Sequence, residues 1–165
     1  MESVYLKKLT INDDRQVYDM MQRIAPHENE FVNSAYGLSF QEYQKWLIEQ
    51  EAWSRGESLP KGFVAQSIYW LYEKKIPVGI GKIRHELTEQ SRKKGGNIGY
   101  AIDPLYRGEG YATLLLSLLL QEANSLGIDN ILLTVEKNNP ASRRVIEKNG
   151  GKIIRENQYR WFFTI

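Results

Sequence analysis

The chain contains no cysteine. That absence excludes a disulfide framework, a cysteine nucleophile and any thiolate-ligated zinc or iron–sulfur site. It also removes the compositional argument for secretion. Histidine is scarce: His27 and His85 lie far apart and offer no metal-ligand spacing. No long hydrophobic run is present. The greasiest stretch, Leu114-Leu-Leu-Ser-Leu-Leu-Leu120, has seven residues, against the ~20 that a membrane-crossing helix needs. The opening Met1-Glu-Ser-Val-Tyr-Leu-Lys-Lys lacks the apolar core of a signal peptide. A net charge of +2 is too small to imply a nucleic-acid partner. A cytoplasmic protein is expected, with no metal, no nucleic acid and no membrane among its partners.

What is present is an ordinary globular balance, 42% apolar and 25% charged over 165 residues. At roughly 100–200 residues per domain, a single domain over 1–165 is expected. A chain this size buries about two-thirds of its unfolded surface and needs no staple.

Alternation predicts a strand at 4–9. Val17, Met20, Met21 and Ile24 recur at helical spacing, so 13–24 reads as a helix capped by Asn12 or Asp13 and stopped by Pro26. Ser39-Phe-Gln-Glu42 is a capping box for a helix to about residue 52, and 53–62 reads as a loop. Segments 63–72 and 78–85 form a hairpin around a turn at 73–77. The polar stretch 86–96 reads as a mobile loop. A short strand at 98–102 holds Gly99, which points to a bulge or a close backbone approach. A turn at 103–110 leads into an apolar helix closed by Gly127. A buried strand at 130–135, a helix opened by Pro140 and ended by Gly150-Gly151, and strands at 152–155 and 160–164 complete the chain. The order β-α-α-β-β-β-α-β-α-β-β implies an α/β fold with a central mixed sheet flanked by helices. Aromatics gather in Tyr36, Phe40, Tyr43, Trp46, Trp53, Tyr69, Trp70 and Tyr72, chiefly as core.

The chemistry concentrates in Ile98-Gly-Tyr-Ala-Ile-Asp-Pro-Leu-Tyr-Arg-Gly-Glu-Gly-Tyr-Ala112. A strand runs through a glycine-rich turn into a helix. Amides at a helix start are unpaired, and the helix dipole adds about half a positive charge. Gly108 and Gly110 let those amides approach an anion, so a phosphate or diphosphate is the natural guest. A Walker loop needs Gly-Lys-Ser/Thr, and Gly110 is followed by Tyr111-Ala112. A dinucleotide fingerprint needs Gly or Ala where Thr113 stands. The pattern Arg/Gln-x-x-Gly-x-Gly/Ala is met by Arg107, Gly110 and Ala112.

Arg107–Ala112, with the strand before it and the helix after it, resembles the pyrophosphate-binding motif of the GNAT superfamily of N-acetyltransferases. Thr134-Val-Glu-Lys-Asn-Asn-Pro-Ala-Ser-Arg-Arg-Val-Ile-Glu-Lys-Asn-Gly-Gly151 is similar to that superfamily's strand–Asn-x-x-Ser/Ala–helix element. The two motifs cover about 55 residues. Residues 63–165 fit the family's strand order, and 10–62 matches only as a helical pair. Gly95–Tyr100 and Ser142–Lys148 look closest to a bacterial branch of predicted acetyltransferases.

The resemblance implies a GNAT-like acyl-CoA N-acyltransferase fold, acetyl-CoA as donor and an amine acceptor, either a small molecule or a protein amine. A homodimer is allowed. The implied division is an acceptor-side helical segment at 10–62 and acetyl-CoA motifs at 97–151. The backbone amides of Arg107, Gly108, Glu109, Gly110, Tyr111 and Ala112 would hold the CoA diphosphate. Ile102 would pair its backbone with the pantetheine arm, and Asn139 would hydrogen-bond it. Ser142 lies one turn further, toward the sulfur. Arg143, Arg144 or Lys148 would meet the 3′-phosphate. Many relatives carry a tyrosine on the last helix that protonates the leaving thiolate; Ile146 stands there, and Ser142 is the candidate replacement. Relatives often place a base on the strand before the phosphate loop, but 97–102 holds no acid. An alkyl ammonium with pKa near 10.4 is only about one part in 10³ neutral at pH 7, a deficit of roughly 4–5 kcal/mol, so a base is useful. Glu136 is the first candidate, then His85 and Glu86, with Tyr100 a further polar group.

Segment 13–57 holds nine acids and four bases, a net −5, which leaves +7 elsewhere. An acidic acceptor half suits a cationic amine. With no acid on the strand and no tyrosine on the helix, a non-catalytic acyl-CoA-binding or regulatory module is the alternative, and a nucleotide-binding domain a distant third.

Overall fold

The computed structural model describes residues 3–28 and 30–165. Its elements, in chain order, are β1 (Val4–Lys8), α1 (Arg15–Arg23), β2 (His27–Glu28), β3 (Phe31–Val32), α2 (Phe40–Ser54), β4 (Gln66–Glu73), β5 (Ile76–Arg84), α3 (Glu89–Lys93), β6 (Ile98–Ile102), α4 (Tyr111–Ser125), β7 (Leu132–Glu136), α5 (Pro140–Lys148), β8 (Lys152–Glu156) and β9 (Arg160–Thr164). A 3-10 turn, Pro104–Tyr106, joins β6 to α4.

Local sequence explains most helix ends. The capping box of Ser39 and Glu42 opens α2 as expected, and the helix runs on to Ser54. The α1 cap is Asp14, whose carboxylate accepts from the Gln16 and Val17 amides, rather than Asn12 or Asp13. Asp13 is drawn into the core instead. It accepts from Trp70 Nε1 at 2.7 Å and from the Thr10 amide at 2.8 Å, donors that a buried carboxylate requires. Neighbouring acids look equivalent in sequence; a tryptophan from β4 separates them. At the other end of α1, the Asn33 amide donates to the carbonyls of Met21 and Ile24, each at 2.8 Å, which satisfies orphan acceptors of the last turn.

Three expectations change and one element is new. The hairpin is tighter, with β4 and β5 joined through Lys74-Lys75 and Lys74 at φ 57°. Residues 86–96 contain α3, opened by a reciprocal Thr88–Ser91 cap, and are not a loop throughout. The small β2–β3 hairpin, with Glu28 opposite Phe31, was not anticipated. Gly99 makes no bulge, since β5 and β6 pair in unbroken register. Its missing side chain admits the Phe31 ring, which lies 3.3 Å from where a Cβ would stand.

The central sheet is divided. One part has the order β1-β4-β5-β6, the other β7-β9-β8, and every ladder within them is antiparallel. Helices cover both faces of the first part. Alternation along β4 sends Ile68, Trp70 and Tyr72 into the core formed with α1 and α2, and Tyr69 and Leu71 into the core formed with α4 and α5. Each such fully buried side chain contributes about 1.5–3 kcal/mol of transfer free energy.

The two parts meet at a seam between β6 and β7 that is stitched at one end only. The Asn97 amide donates to Leu132 O at 2.8 Å, and Leu132 N donates back to Asn97 Oδ1 at 2.9 Å. Gly96 closes the stitch at φ 61°; a Cβ there would lie 2.3 Å from Leu132 O. No ladder joins the two strands beyond this point.

Candidate active site

A cleft of about 500 Å³ runs along the seam. Its walls are β6, the end of β7, the first turns of α4 and α5, and the β2–β3 hairpin, with Lys82 and Arg84 from β5. It has two chemically distinct sides.

One side is backbone. Four helices are capped by a side chain: Asp14 for α1, Ser39 for α2, Thr88 for α3 and Asn139 for α5. The fifteen-residue α4 is not; its cap is Gly110 at φ 86°, with no side-chain hydrogen bond. The Tyr111, Ala112 and Thr113 amides are orphan donors by position, and all three residues line the cleft. Gly108 also has positive φ, 78°, and a Cβ there would meet nothing within 4 Å. Unpaired amides at the positive end of a helix dipole, beside open space, constitute an anion cradle. The loop is pinned from behind. Asp103, fully buried, accepts the Leu105 amide at 3.0 Å and a bidentate Arg23 guanidinium, the shortest contact being 2.7 Å.

Of the expected donor-side residues, Ile102, Arg107, Gly108, Gly110, Tyr111, Ala112, Asn139 and Ser142 line the cleft, whereas Glu109 and Arg143 do not. The Arg107 side chain is used locally. Its Nε donates to Ile102 O at 3.1 Å, and its guanidinium pairs with Glu28 at 3.0 Å. The Arg143 guanidinium lies 4.5 Å from the Trp161 ring centroid and bonds Glu147 at 2.9 Å.

Tyr100 and Ser142 meet across the seam, with 2.7 Å between their hydroxyl oxygens. Burial pushes the Tyr100 phenol up to about 12, against a smaller opposing effect of the Ser142 hydrogen bond. It is therefore a neutral O–H donor at physiological pH. Ile146, at the position where relatives carry the tyrosine, is buried in the core.

The other side is made of side chains. Ile80 of β5 packs into the α1–α2 core, so Lys82 and Arg84 point to that same face. Glu136 ends β7 and lines the cleft, 4.0 Å from the Arg160 guanidinium. Glu30 pairs with Arg160 and accepts from Thr134 Oγ1 at 2.6 Å. Thr134 Oγ1 in turn accepts the Gly95 amide at 2.8 Å. His85 and Glu86 do not line the cleft. His85 Nε2 lies 2.7 Å from Ser67 Oγ, and burial lowers its pKa.

The acids that favour a cationic acceptor on sequence alone are partly engaged elsewhere. Seven of the nine acids of 13–57 have structural partners: Asp13 in the core, Asp14 and Glu42 at helix caps, Glu51 and Glu57 on Arg55 of the same segment, Glu28 on Arg107 and Glu30 on Arg160. Sequence reading passed over Lys82, Arg84, Phe31, Thr134 and Arg160. One signal was visible: Lys82 and Arg84 alternate with Gly81 and Ile83 in a strand otherwise buried on both faces.

Fold and cleft together define an α/β protein with a backbone anion cradle facing a polar second pocket across a split sheet. The model of the acetyltransferase (GNAT) domain matches residues 4–152, and the chain belongs to that family of N-acetyltransferases. No curated protein sequence matches. Solved structures with the same fold include the Campylobacter jejuni N-acetyltransferase PseH in complex with acetyl coenzyme A (13% identity, 98% of this chain and 97% of that one, TM-score 0.64). RimL, a ribosomal L7/L12 alpha-N-protein acetyltransferase in complex with coenzyme A, is similar at 14% identity (100% and 94%, TM-score 0.72). A spermidine N-acetyltransferase SpeG chimera from Vibrio cholerae and hSSAT matches at 18% identity (99% and 95%, TM-score 0.66). The named acceptors of the last two differ, so the fold does not select one. Among the described residues no helix is long and apolar enough to cross a membrane, and no cluster of metal-ligating side chains is present.

Proposed function

We propose that this protein transfers an acetyl group from acetyl-CoA to a primary amine by direct attack. The observation that carries this reading is the uncapped start of α4, whose free amides line a cleft between two strands that do not pair. Acetyl-CoA supplies the activated acetyl group as its thioester. The residues fit that group: the 108–113 amides would take the diphosphate, the unpaired edge of β6 would meet the amides of the pantetheine arm, and Asn139 lines the path. In this reading 1–165 works as one domain, with 97–151 forming the donor site and 10–62 walling the acceptor side.

Glu136 acts as general base. Its carboxylate takes a proton from the acceptor ammonium, and the freed nitrogen lone pair forms the N–C bond. The tetrahedral adduct then collapses with cleavage of the C–S bond; the thiolate receives a proton from the Tyr100–Ser142 pair, and the second proton lost by the nitrogen passes through solvent to restore that pair. Tyr100 thereby supplies from β6 the phenol that α5 lacks at Ile146. A thiol pKa of roughly 8.5 makes this protonation helpful and not obligatory. With no cysteine, the most readily activated acyl-enzyme nucleophile is missing, which favours direct transfer.

The test combines calorimetric titration with acetyl-CoA and thiol release over an amine panel. Saturable binding and amine-dependent release are expected. Binding without turnover on any amine would instead identify an acyl-CoA-binding module, and tighter binding of ATP or NAD a nucleotide-binding domain.

A further inference from the structure

The charges on the acceptor face do not balance by pairing. Its three carboxylates all have cationic neighbours: Glu28 pairs with Arg107, Glu30 with Arg160, and Glu136 lies 4.0 Å from Arg160. Two cations have no carboxylate partner among the described residues. Lys82 Nζ lies 5.4 Å from the Phe31 ring centroid. Arg84 Nη1 donates to Gly96 O at 3.0 Å, a neutral acceptor. Both line the cleft. Both are half-buried; an unpaired cation partly withdrawn from water is costly, and burial depresses the pKa of both groups. A side chain kept in that state is poised for an anion that arrives with a ligand.

The diphosphate of the donor is not that anion. Its cradle is the start of α4, whose core contacts lie on the opposite face of the β4–β6 sheet from Ile80. Lys82 and Arg84 follow Ile80 on the α1–α2 face, the side that holds Glu136.

Resting on the acetyltransferase reading, we propose that the acceptor is a small amine bearing a carboxylate, which seats against Lys82 with Arg84 behind it while the amine faces Glu136. Phe31 backs the Lys82 side chain, and Arg160 holds Glu30 away from the arriving carboxylate. A diamine or polyamine would bring a second cation against Lys82 with no counter-charge to receive it.

Amines matched in length test this: 4-aminobutyrate, its neutral amide and 1,4-diaminobutane, with a second triplet one methylene longer. In the wild type the carboxylate should be preferred over the diamine by at least tenfold in kcat/KM. Lys82→Met should reduce that preference to about threefold or less. Lys82→Glu should reverse it. Acetyl-CoA affinity, measured by calorimetry in the same variants, should stay within twofold, which separates loss of acceptor contacts from misfolding. A wild-type preference for the diamine, or a Lys82→Glu variant with unaltered preference, would overturn the proposal while leaving the acetyltransferase reading intact. If acetyl-CoA binds and no amine of either triplet or of the wider panel turns over, the acetyltransferase reading falls and this inference with it.

Discussion

The two sides of the cleft are built from different material. The proposed donor side is backbone: a glycine-lined turn, the orphan amides of one helix and the free edge of one strand. The proposed acceptor side is side chain: Glu30 and Phe31 from the β2–β3 segment, Lys82 and Arg84 from β5, Thr134 and Glu136 from β7, and Arg160 from β9. A backbone site accepts any group of the right charge and shape, so it suits a donor held in common by many enzymes. A side-chain site can be altered one residue at a time, so it suits an acceptor that differs between them. Substitutions on the two sides should therefore separate in what they change.

The largest effect belongs to the acceptor side. Glu136→Gln should lower kcat by about 10²-fold, the scale of a general base, with acetyl-CoA affinity unchanged. Its rate should keep rising at higher pH, because only amine already deprotonated, with a pKa near 10.4, can then attack. Wild-type pH behaviour in this variant would remove Glu136 from the mechanism. Tyr100→Phe should cost about tenfold in kcat and leave the KM for acetyl-CoA within twofold; a change in KM alone would make the phenol a binding group. On the donor side, Gly110→Trp should weaken acetyl-CoA by more than tenfold in calorimetry while preserving the ranking of amines. A changed ranking would mean that the sides are not separable.

The same division governs what could be read before folding. The donor side was legible because its parts are adjacent in sequence: Arg107, Gly110 and Ala112 fall within six residues, and a strand and a helix flank them. Ser142 was legible through its spacing from Asn139. Its contact with Tyr100 was not, because 42 positions separate the two hydroxyls. Most of the acceptor side was illegible for that reason, Glu136 at the end of β7 being the exception. Glu30 meets Arg160 across 130 positions and Thr134 across 104, so a carboxylate counted in the net charge of 13–57 is already engaged. A segment's net charge predicts a partner only when its carboxylates remain unpaired. The β2–β3 hairpin was missed on the same grounds, since His27-Glu28 and Phe31-Val32 are too short to show a period and are anchored by contacts distant in sequence.

Lys82 gives a smaller effect with a definite sign. Burial pushes its pKa down to about 8, against roughly 10.4 in the unfolded chain. The unfolded state therefore binds the extra proton between those values, and stability contributed through this group rises with pH from about 8 to about 10.4. Below pH 8 the half-buried charge is a standing penalty of about 1–2 kcal/mol after allowance for solvent in the cleft. Lys82→Met should raise Tm at pH 7 by about 3–6 °C, and the gap should shrink as pH climbs above 8. A lower Tm would mean that the ammonium has a stabilising partner.

His85→Gln should produce the smallest change and marks the boundary of the acceptor side. His85 follows β5 directly, yet its amide donates to Ala65 O at 2.9 Å and its Nε2 meets Ser67 Oγ at 2.7 Å, which ties it to the start of β4 and away from the cleft. Burial is the main cause of its lowered pKa, so the imidazole is neutral at pH 7 and needs no counter-charge. The folded state resists protonation of this ring, so wild-type stability falls relative to the glutamine variant as pH drops below about 6.5. Catalysis should not follow: kcat/KM should stay within twofold, with an unchanged pH profile. A displaced profile would bring the end of β5 into proton transfer, leave Glu136 without its role as sole base, and extend the acceptor side beyond the cleft that β6 and β7 enclose.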